Sequence, residues 1–263
     1  MDFHFENKVA LVCGSTSGLG FAIANTFAGE NCKVVLNGRD ETRVARAVER
    51  LSEVATSDVA GFAADVSAPE QAEALVERTV AEFGSIDILL CNAGGPAATL
   101  FVDTKPESWQ TALDLNLLST ISLCRAAVPH MLKNKWGRIV CLTSVAAKEP
   151  LPGLILSTTA RAGVLGFAKS LSDELATSNV TVNVVCPGYM QTERVDDLVR
   201  ERSKREKRDP KEIEDELVKR IPMRRMGRPE ELAHAVAFLS SEQAGYITGV
   251  ALQVDGGYIR NIL

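Results

Sequence analysis

The feature that most constrains this chain is a glycine-rich turn close to its start. An apolar run of strand length, residues 8–12, leads to Gly14, Gly18 and Gly20, and an apolar helical pattern follows. Glycines let the backbone turn sharply and approach an anion closely, and the N–H groups and dipole of a helix N-terminus favour negative charge. A strand, a glycine turn and a helix in this order predict a phosphate-binding site. The alternative is a turn that binds nothing.

The rest of the chain alternates between apolar runs of strand length and helical patterns. We predict strands at residues 8–12, 34–36, 59–63, 86–91, 138–142, 180–185 and 251–254. Strands that are apolar throughout and are separated by helices indicate a parallel sheet covered on both faces. The sequence therefore predicts an α/β fold in one domain over residues 1–263. It is a Rossmann-type doubly wound parallel sheet of about seven strands, which binds ligands at the carboxyl ends of its strands.

One segment, near residues 193–222, departs from this alternation. Most of its side chains are charged, with acids and bases in near balance, and a thin apolar stripe recurs at helical spacing. Pro210 divides the segment, so we predict two helices. Because the segment begins just after a strand end, we expect a charged helical lid over the substrate. The alternative is a solvated helical excursion.

Charge and composition exclude several classes of function. The net charge of −5 argues against a nucleic-acid-binding protein, and no apolar run approaches the length of a membrane span. Residues 1–6 lack the basic and apolar regions of a signal peptide, so we expect a cytoplasmic protein. The six cysteines form no C-x-x-C pair and have no histidine nearby in sequence, which favours reduced, structural thiols and no metal site.

Short motifs recur at intervals after the glycine turn. They are Asp65-Val66, Asn92-Ala93-Gly94, Asp114-Leu115-Asn116, Thr143-Ser144, Pro187-Gly188 with Thr192, and Val254-Asp255-Gly256-Gly257. Together with the turn, their order and spacing resemble those of the short-chain dehydrogenase/reductase family, in its 3-oxoacyl-carrier-protein-reductase-like branch. The resemblance covers nearly the whole chain, with Cys13 where the family usually has threonine.

The resemblance implies a nicotinamide dinucleotide as cofactor and a small-molecule carbonyl or alcohol as substrate. The residues that it places around the cofactor are Gly14, Ser15, Ser17, Gly18, Leu19, Gly20, Asp65, Val66, Asn92, Ala93, Gly94, Pro187, Gly188 and Thr192. In the family, the residue matching Asp65 contacts the adenine amino group. The resemblance also implies a homotetramer or homodimer, paired through the helices near 107–133 and 153–178.

Arg39 bears on the choice between the two nicotinamide cofactors. An acid at the end of the second strand would bind the ribose hydroxyls of NAD, but Gly38 occupies that position. The guanidinium fork of Arg39, directly after it, suits a 2′-phosphate. The sequence therefore favours NADP(H) over NAD(H). The alternative is an ordinary surface arginine at a helix start.

The predicted catalytic centre departs from the family pattern. Where the family has Tyr-x-x-x-Lys, in register after Ser144, this chain has Ser157 and Arg161. A serine hydroxyl is a far weaker acid than the phenol that protonates the carbonyl in the family. Arg161 stays protonated and lies one helical turn from Ser157, on the same face. It can hold the nicotinamide ribose or bind a substrate carboxylate or phosphate.

Three hypotheses follow from this centre. In the first, the chain is an oxidoreductase with a rebuilt site. Ser144 and Ser157 bind the substrate oxygen beside Tyr189, Arg161 stabilises developing negative charge, and the proton comes from a water held by Asn116 or from the Tyr189 hydroxyl. In the second, the chain binds nucleotide without catalysis, as a sensor or a silent subunit. In the third, it is a non-redox enzyme. The intact nucleotide motifs weaken the third, and we expect the first, with slow turnover.

Overall fold

The computed structural model describes residues 3–260, and over this range seven strands form one parallel sheet in the order β3-β2-β1-β4-β5-β6-β7. The strands are β1 (Val9–Val12), β2 (Lys33–Gly38), β3 (Val59–Ala63), β4 (Ile88–Cys91), β5 (Gly137–Leu142), β6 (Val180–Pro187) and β7 (Ala251–Val254). The sequence-based prediction of a doubly wound parallel sheet is confirmed. The largest differences in strand bounds are two residues: β2 and β6 each end two residues later than predicted, and β4 begins two residues later.

The α-helices connect successive strands and cover both faces. They are α1 (Gly18–Gly29), α2 (Glu41–Ser52), α3 (Pro69–Phe83), α4 (Pro106–Leu113), α5 (Ser119–Asn134), α6 (Ile155–Leu175), α7 (Glu193–Glu206), α8 (Pro210–Arg220) and α9 (Pro229–Ser240). A π-helical turn, Asp114–Leu118, separates α4 from α5 within the region predicted as one long helix. None of the helices described here is long and apolar enough to cross a membrane.

Two buried apolar clusters explain why the strands lack a polar face. Val12 on β1 packs into one cluster with Phe27 of α1 and Val236 of α9. The neighbouring Leu11 points to the opposite face, into a cluster that contains Leu123 of α5. Successive side chains of a strand point to opposite faces, so burial on both sides requires apolar residues at every position.

The six cysteines belong to this core. All are buried and free, and Cys91 lies opposite Cys141 in the register of β4 and β5. The Sγ atoms of Cys91 and Cys124 are 3.9 Å apart. Burial raises the pKa of the Cys13 thiol to about 12, so it stays protonated and behaves as a small apolar side chain. Within residues 3–260, no cluster of His, Cys, Asp or Glu is arranged to hold a metal ion.

The charged segment forms the two predicted helices, α7 and α8, divided at Pro210. The apolar stripe of this pair is buried rather than solvated, in a third cluster that includes Val199, Ile213 and Leu217. The charges pair across the two helices, because Arg202 lies 2.6 Å from Glu216 as well as 2.7 Å from Glu206 on its own helix. The two helices therefore form one packed unit, held by their buried apolar stripe and by ion pairs on the partly exposed side.

The glycine turn joins β1 to α1 by a backbone contact that leaves no room for a side chain. A Cβ at Gly20 would lie only 2.3 Å from the carbonyl oxygen of Gly14. Gly14 and Gly18 both have φ near +57°, in the left-handed region that favours glycine. The three glycines therefore set the angle at which α1 leaves the sheet.

We predict that Gly20→Ala destabilises the protein by about 3 kcal/mol, because the new methyl group meets backbone that has no side-chain freedom to yield. Gly29→Ala is the matched control. It lies at the other end of α1, and a Cβ there would meet no atom within 4 Å. Urea unfolding followed by circular dichroism measures both variants. Equal midpoints for the two would show that the contact does not hold the turn.

Candidate nucleotide and substrate site

A cavity of about 370 Å³ opens at the carboxyl ends of β1, β4, β5 and β6. Most of the predicted site residues line it: Gly14, Ser17, Gly18, Leu19, Gly20, Asn92, Ala93, Gly94, Ser144, Ser157, Arg161, Pro187, Gly188, Tyr189 and Thr192. The structure thus brings the glycine turn and the predicted catalytic side chains to one cavity. The predicted residues outside its lining are Ser15, Arg39, Asp65, Val66 and Asn116.

Ser15 holds the turn from within. Its side chain is fully buried, and its hydroxyl donates to the Val12 carbonyl at 2.6 Å and accepts from the Asn37 N–H at 2.9 Å. Asn37, on β2, in turn donates its amide to the carbonyls of Phe62 and Ala64. Both bonds of the Ser15 hydroxyl are therefore made within the fold, and the assignment of Ser15 to the cofactor stays a prediction.

Asn92 ties the end of β4 to the same turn. Its side-chain amide donates to the carbonyl oxygens of Cys13 at 3.2 Å and Gly14 at 3.1 Å. These two bonds hold the chain after β4 against the glycine turn. The Asn-Ala-Gly segment thereby forms a wall of the cavity, although the Asn92 side chain itself is turned towards the glycine turn.

The residues predicted for the adenosine end follow the two strands on the other side of β1. Arg39 is exposed directly after β2, and Asp65 lies just past β3 with its carboxylate accepting from the backbone and hydroxyl of Ser67. A Cβ at Gly38 would come within 2.5 Å of the Thr16 side chain. An acidic residue at position 38 would therefore have to displace Thr16.

Ser157 and Arg161 form a hydrogen-bonded pair on α6. Ser157 is buried, and Nη1 of Arg161 donates to its Oγ at 3.2 Å. Burial, and next the neighbouring charge of Arg194, lower the pKa of Arg161 to about 10. Arg161 is still protonated at neutral pH. Because the serine oxygen accepts from a cation, its own proton is free to point into the cavity.

Ser144 lies at the end of β5 and caps the short 3₁₀ helix Val145–Ala147. Its Oγ accepts from the Ala146 N–H at 3.1 Å. This bond fixes the position of the oxygen and leaves the hydroxyl proton for a ligand. Ser144 and Ser157 thus bring two hydroxyl donors to one cavity.

The two groups proposed to supply a proton lie in different surroundings. Asn116, in the π-helical turn, donates its amide to the Gly94 carbonyl at 2.9 Å, and its buried Oδ1 has no partner in the part of the chain that the structure describes. Tyr189 packs edge-on against Tyr258 with ring centres 5.3 Å apart. Burial and then Tyr258 raise the pKa of the Tyr189 hydroxyl, which makes it a poorer acid.

The first turns of α7 add side chains that the sequence did not identify. Arg194, Asp197 and Leu198 line the cavity. Nη2 of Arg194 donates to the carbonyl of Pro96 at 2.7 Å, which links α7 to the segment after β4. The sequence did contain a signal for these residues, namely their position. A helix that begins directly after Thr192 presents its first turn to the strand ends.

The chain matches known proteins over almost its full length. The sequence model of the family described as enoyl-(acyl carrier protein) reductase matches residues 14–259. The 3-oxoacyl-(acyl-carrier-protein) reductase of Chlamydia muridarum is 36% identical over 251 residues, 95% of this chain and 97% of that protein. The enzyme of the same name from Escherichia coli is 36% identical over 254 residues, 97% and 98% of the two chains.

Solved structures agree with the sequence matches. L-sorbose reductase from Gluconobacter frateurii, solved with NADPH and L-sorbose, superposes with a TM-score of 0.94 at 34% identity, over 100% of both chains. YwfH, an NADPH-dependent reductase involved in bacilysin biosynthesis, gives a TM-score of 0.92 at 29% identity, over 97% of this chain and 99% of that one. This chain therefore belongs to the short-chain dehydrogenase/reductase family, in the branch similar to the 3-oxoacyl-(acyl-carrier-protein) reductases.

Proposed function

We propose that the protein is an NADP(H)-dependent oxidoreductase whose catalytic centre uses Ser157 and Arg161 in place of the family's tyrosine and lysine. It interconverts a small carbonyl compound and the corresponding alcohol. The observation that carries this proposal is the hydrogen-bonded Ser157–Arg161 pair, which lines the same cavity as the glycine turn. The L-sorbose reductase with which the chain superposes was solved with NADPH and a sugar.

The residues of the turn fit the pyrophosphate of a dinucleotide. The residue before α1, Ser17, makes no side-chain hydrogen bond to the helix, and no acidic side chain lies in the first turn. The first N–H groups of α1 are therefore free to bind an anion, at the end where the helix dipole is positive. When a nicotinamide dinucleotide is bound, its nicotinamide supplies or accepts the hydride.

The chain's own residues stabilise charge on the substrate oxygen. Ser144 and Ser157 each keep a hydroxyl proton for that oxygen, and Arg161 polarises the Ser157 hydroxyl through their hydrogen bond. A positive group held near a developing alkoxide in a partly dry cavity lowers the barrier to hydride transfer. Arg161 thus acts electrostatically and keeps its own protons.

The proton that completes the alcohol is supplied by water in this proposal. The unpartnered, buried Oδ1 of Asn116 is the kind of atom that ordered water satisfies, and its amide anchors Gly94 at the cavity wall. The raised pKa of Tyr189 argues against the alternative donor.

The test of this function separates binding from turnover. We expect NADPH to bind, as followed by its fluorescence, and to be oxidised in the presence of at least one member of a panel of 3-oxoacyl thioesters, oxo acids and ketoses. Ser157→Ala should lower kcat about 100-fold, because a positioned hydroxyl is lost, and should leave the Kd for NADPH unchanged. Ser170→Ala, an exposed serine on the same helix, is the control.

A weakly acidic serine hydroxyl also supports a second function, a nucleotide-binding protein without catalysis. The same assay distinguishes the two. Tight NADPH binding with no oxidation across the panel would reject the oxidoreductase and leave a sensor or silent subunit. Absence of binding by either nicotinamide would reject both.

Restoring the family's motif tests the catalytic centre directly. We predict that Ser157→Tyr combined with Arg161→Lys increases the reduction of generic ketones, since both positions line the cavity and the pair restores the family's proton donor and its lysine. Arg161→Lys alone is the control and should not gain this activity. A double variant that folds, binds NADPH and shows no gain would mean that Ser157 and Arg161 do not account for the enzyme's rate.

The cofactor preference rests on Arg39, exposed after β2, and on Gly38, where an acidic side chain would have to displace Thr16. We predict that Arg39→Ala weakens NADPH binding about tenfold and NADH binding less than twofold, because one charge-assisted contact to the 2′-phosphate is lost. Arg43→Ala, an exposed arginine in the first turn of α2, is the control. Equal losses for both cofactors would make Arg39 a surface residue only.

A further inference from the structure

Two guanidinium groups enter the substrate end of the cavity without a carboxylate partner. Arg161 donates to the Ser157 hydroxyl, and Arg194 donates to the carbonyl of Pro96; within residues 3–260, neither comes within 4 Å of a carboxylate oxygen. Other arginines of the helix that carries Arg194, and of the turn after it, do have carboxylate partners. There, Arg202 and Arg208 both pair with Glu216.

Arg194 is close enough to Arg161 to disfavour the charge on Arg161. Arg194 contributes to the lowered pKa of Arg161, second only to burial. Arrangements of this kind leave a positive potential that only a bound anion neutralises. The acidic side chains of the lining do not provide that neutralisation, since Asp197 is bonded to Arg200 and Glu193 is exposed.

The position of the pair indicates which anion it meets. Arg161 adjoins Ser157, and Arg194 adjoins the segment just after Gly95, whose Cβ would meet the Arg194 guanidinium. An anion that both arginines share therefore lies on the serine side of the cavity. The pyrophosphate site is the separate N-terminus of α1, with its own free N–H groups.

The remaining wall defines the rest of the ligand. Leucine and valine side chains line this part of the cavity: Leu142, Val145, Leu151, Leu154 and Leu198. Apolar walls around one charged end suit a short carbon skeleton that carries a single anionic group.

We infer that the substrate is a small oxo acid, or the corresponding hydroxy acid, whose carboxylate is bound by Arg194 with the help of Arg161. This assignment rests on the proposed function, because it places the reacting carbonyl at Ser144 and Ser157. A guanidinium presents paired N–H donors that match a carboxylate, so Arg194 selects for the acid. Arg194 is a specificity residue, and the two serines remain at the reacting oxygen.

The test compares each acid with its own uncharged ester. Straight-chain 2-oxo, 3-oxo and 4-oxo acids of four to six carbons are assayed beside their methyl esters with NADPH as reductant. In the wild type, we expect at least one acid to exceed its ester at least tenfold in kcat/KM. Arg194→Gln should reduce that acid-to-ester ratio at least tenfold. Lys204→Gln, an exposed cation on the same helix, should preserve it.

Three results would overturn the inference. The first is equal turnover of every acid and its ester by the wild type, and the second is an unchanged ratio in Arg194→Gln. The third is a tenfold weaker Kd for NADPH alone in Arg194→Gln without a change in the ratio, which would assign the arginine to a cofactor phosphate.

A binding measurement keeps the inference testable if the proposed function fails. The saturated 2-, 3- and 4-hydroxy acids are titrated by calorimetry into protein that is saturated with NADP⁺. Binding that Arg194→Gln weakens tenfold, in a protein that turns over nothing, supports an anion site in a non-catalytic homologue. Absence of binding at millimolar acid, with the ester series equally inert, rejects the site.

Discussion

The contact between Gly20 and the Gly14 carbonyl is the constraint on which the rest of the site depends. With 2.3 Å between that oxygen and a Cβ on Gly20, the turn tolerates only hydrogen at this position. The contact is supported from β2 through the bonds between Ser15 and Asn37, and from β4 through Asn92. Three neighbouring strands thus fix one turn, and the N-terminus of α1 points where an anion can meet it.

Charged side chains of the α7–α8 pair are neutralised on one side of the pair and not on the other. On its outer side, arginines and glutamates of α7 and α8 neutralise one another across a partly exposed surface, where each pair contributes little by itself. On its inner side, Arg194 donates to the neutral carbonyl of Pro96 and has no carboxylate partner. A segment of balanced composition therefore brings one arginine without a carboxylate partner to the cavity.

The sequence predicted the sheet well because apolar runs and glycine spacing are local signals. It also placed Ser144, Ser157 and Arg161 at one cavity, because residues that end parallel strands or share a helix face have few other places to go. It did not indicate that the Ser15 hydroxyl is bonded to Asn37 of another strand. It missed Arg194, whose partner Pro96 lies 98 residues away in sequence. Both depend on contacts that no local pattern encodes.

A serine and an arginine change the order of events expected at the reacting oxygen. A phenol of ordinary pKa near 10 can give its proton as the hydride arrives, whereas a serine hydroxyl gives up its proton far less readily. Arg161, with its pKa at about 10, stays charged at neutral pH and stabilises an alkoxide without delivering a proton. Under the proposed function, negative charge on the oxygen persists until water protonates it, and Ser144, Ser157 and Arg161 stabilise that charge. In our proposal, Arg194 contacts the substrate carboxylate, which offsets the repulsion between the two arginines and leaves Arg161 bonded to Ser157.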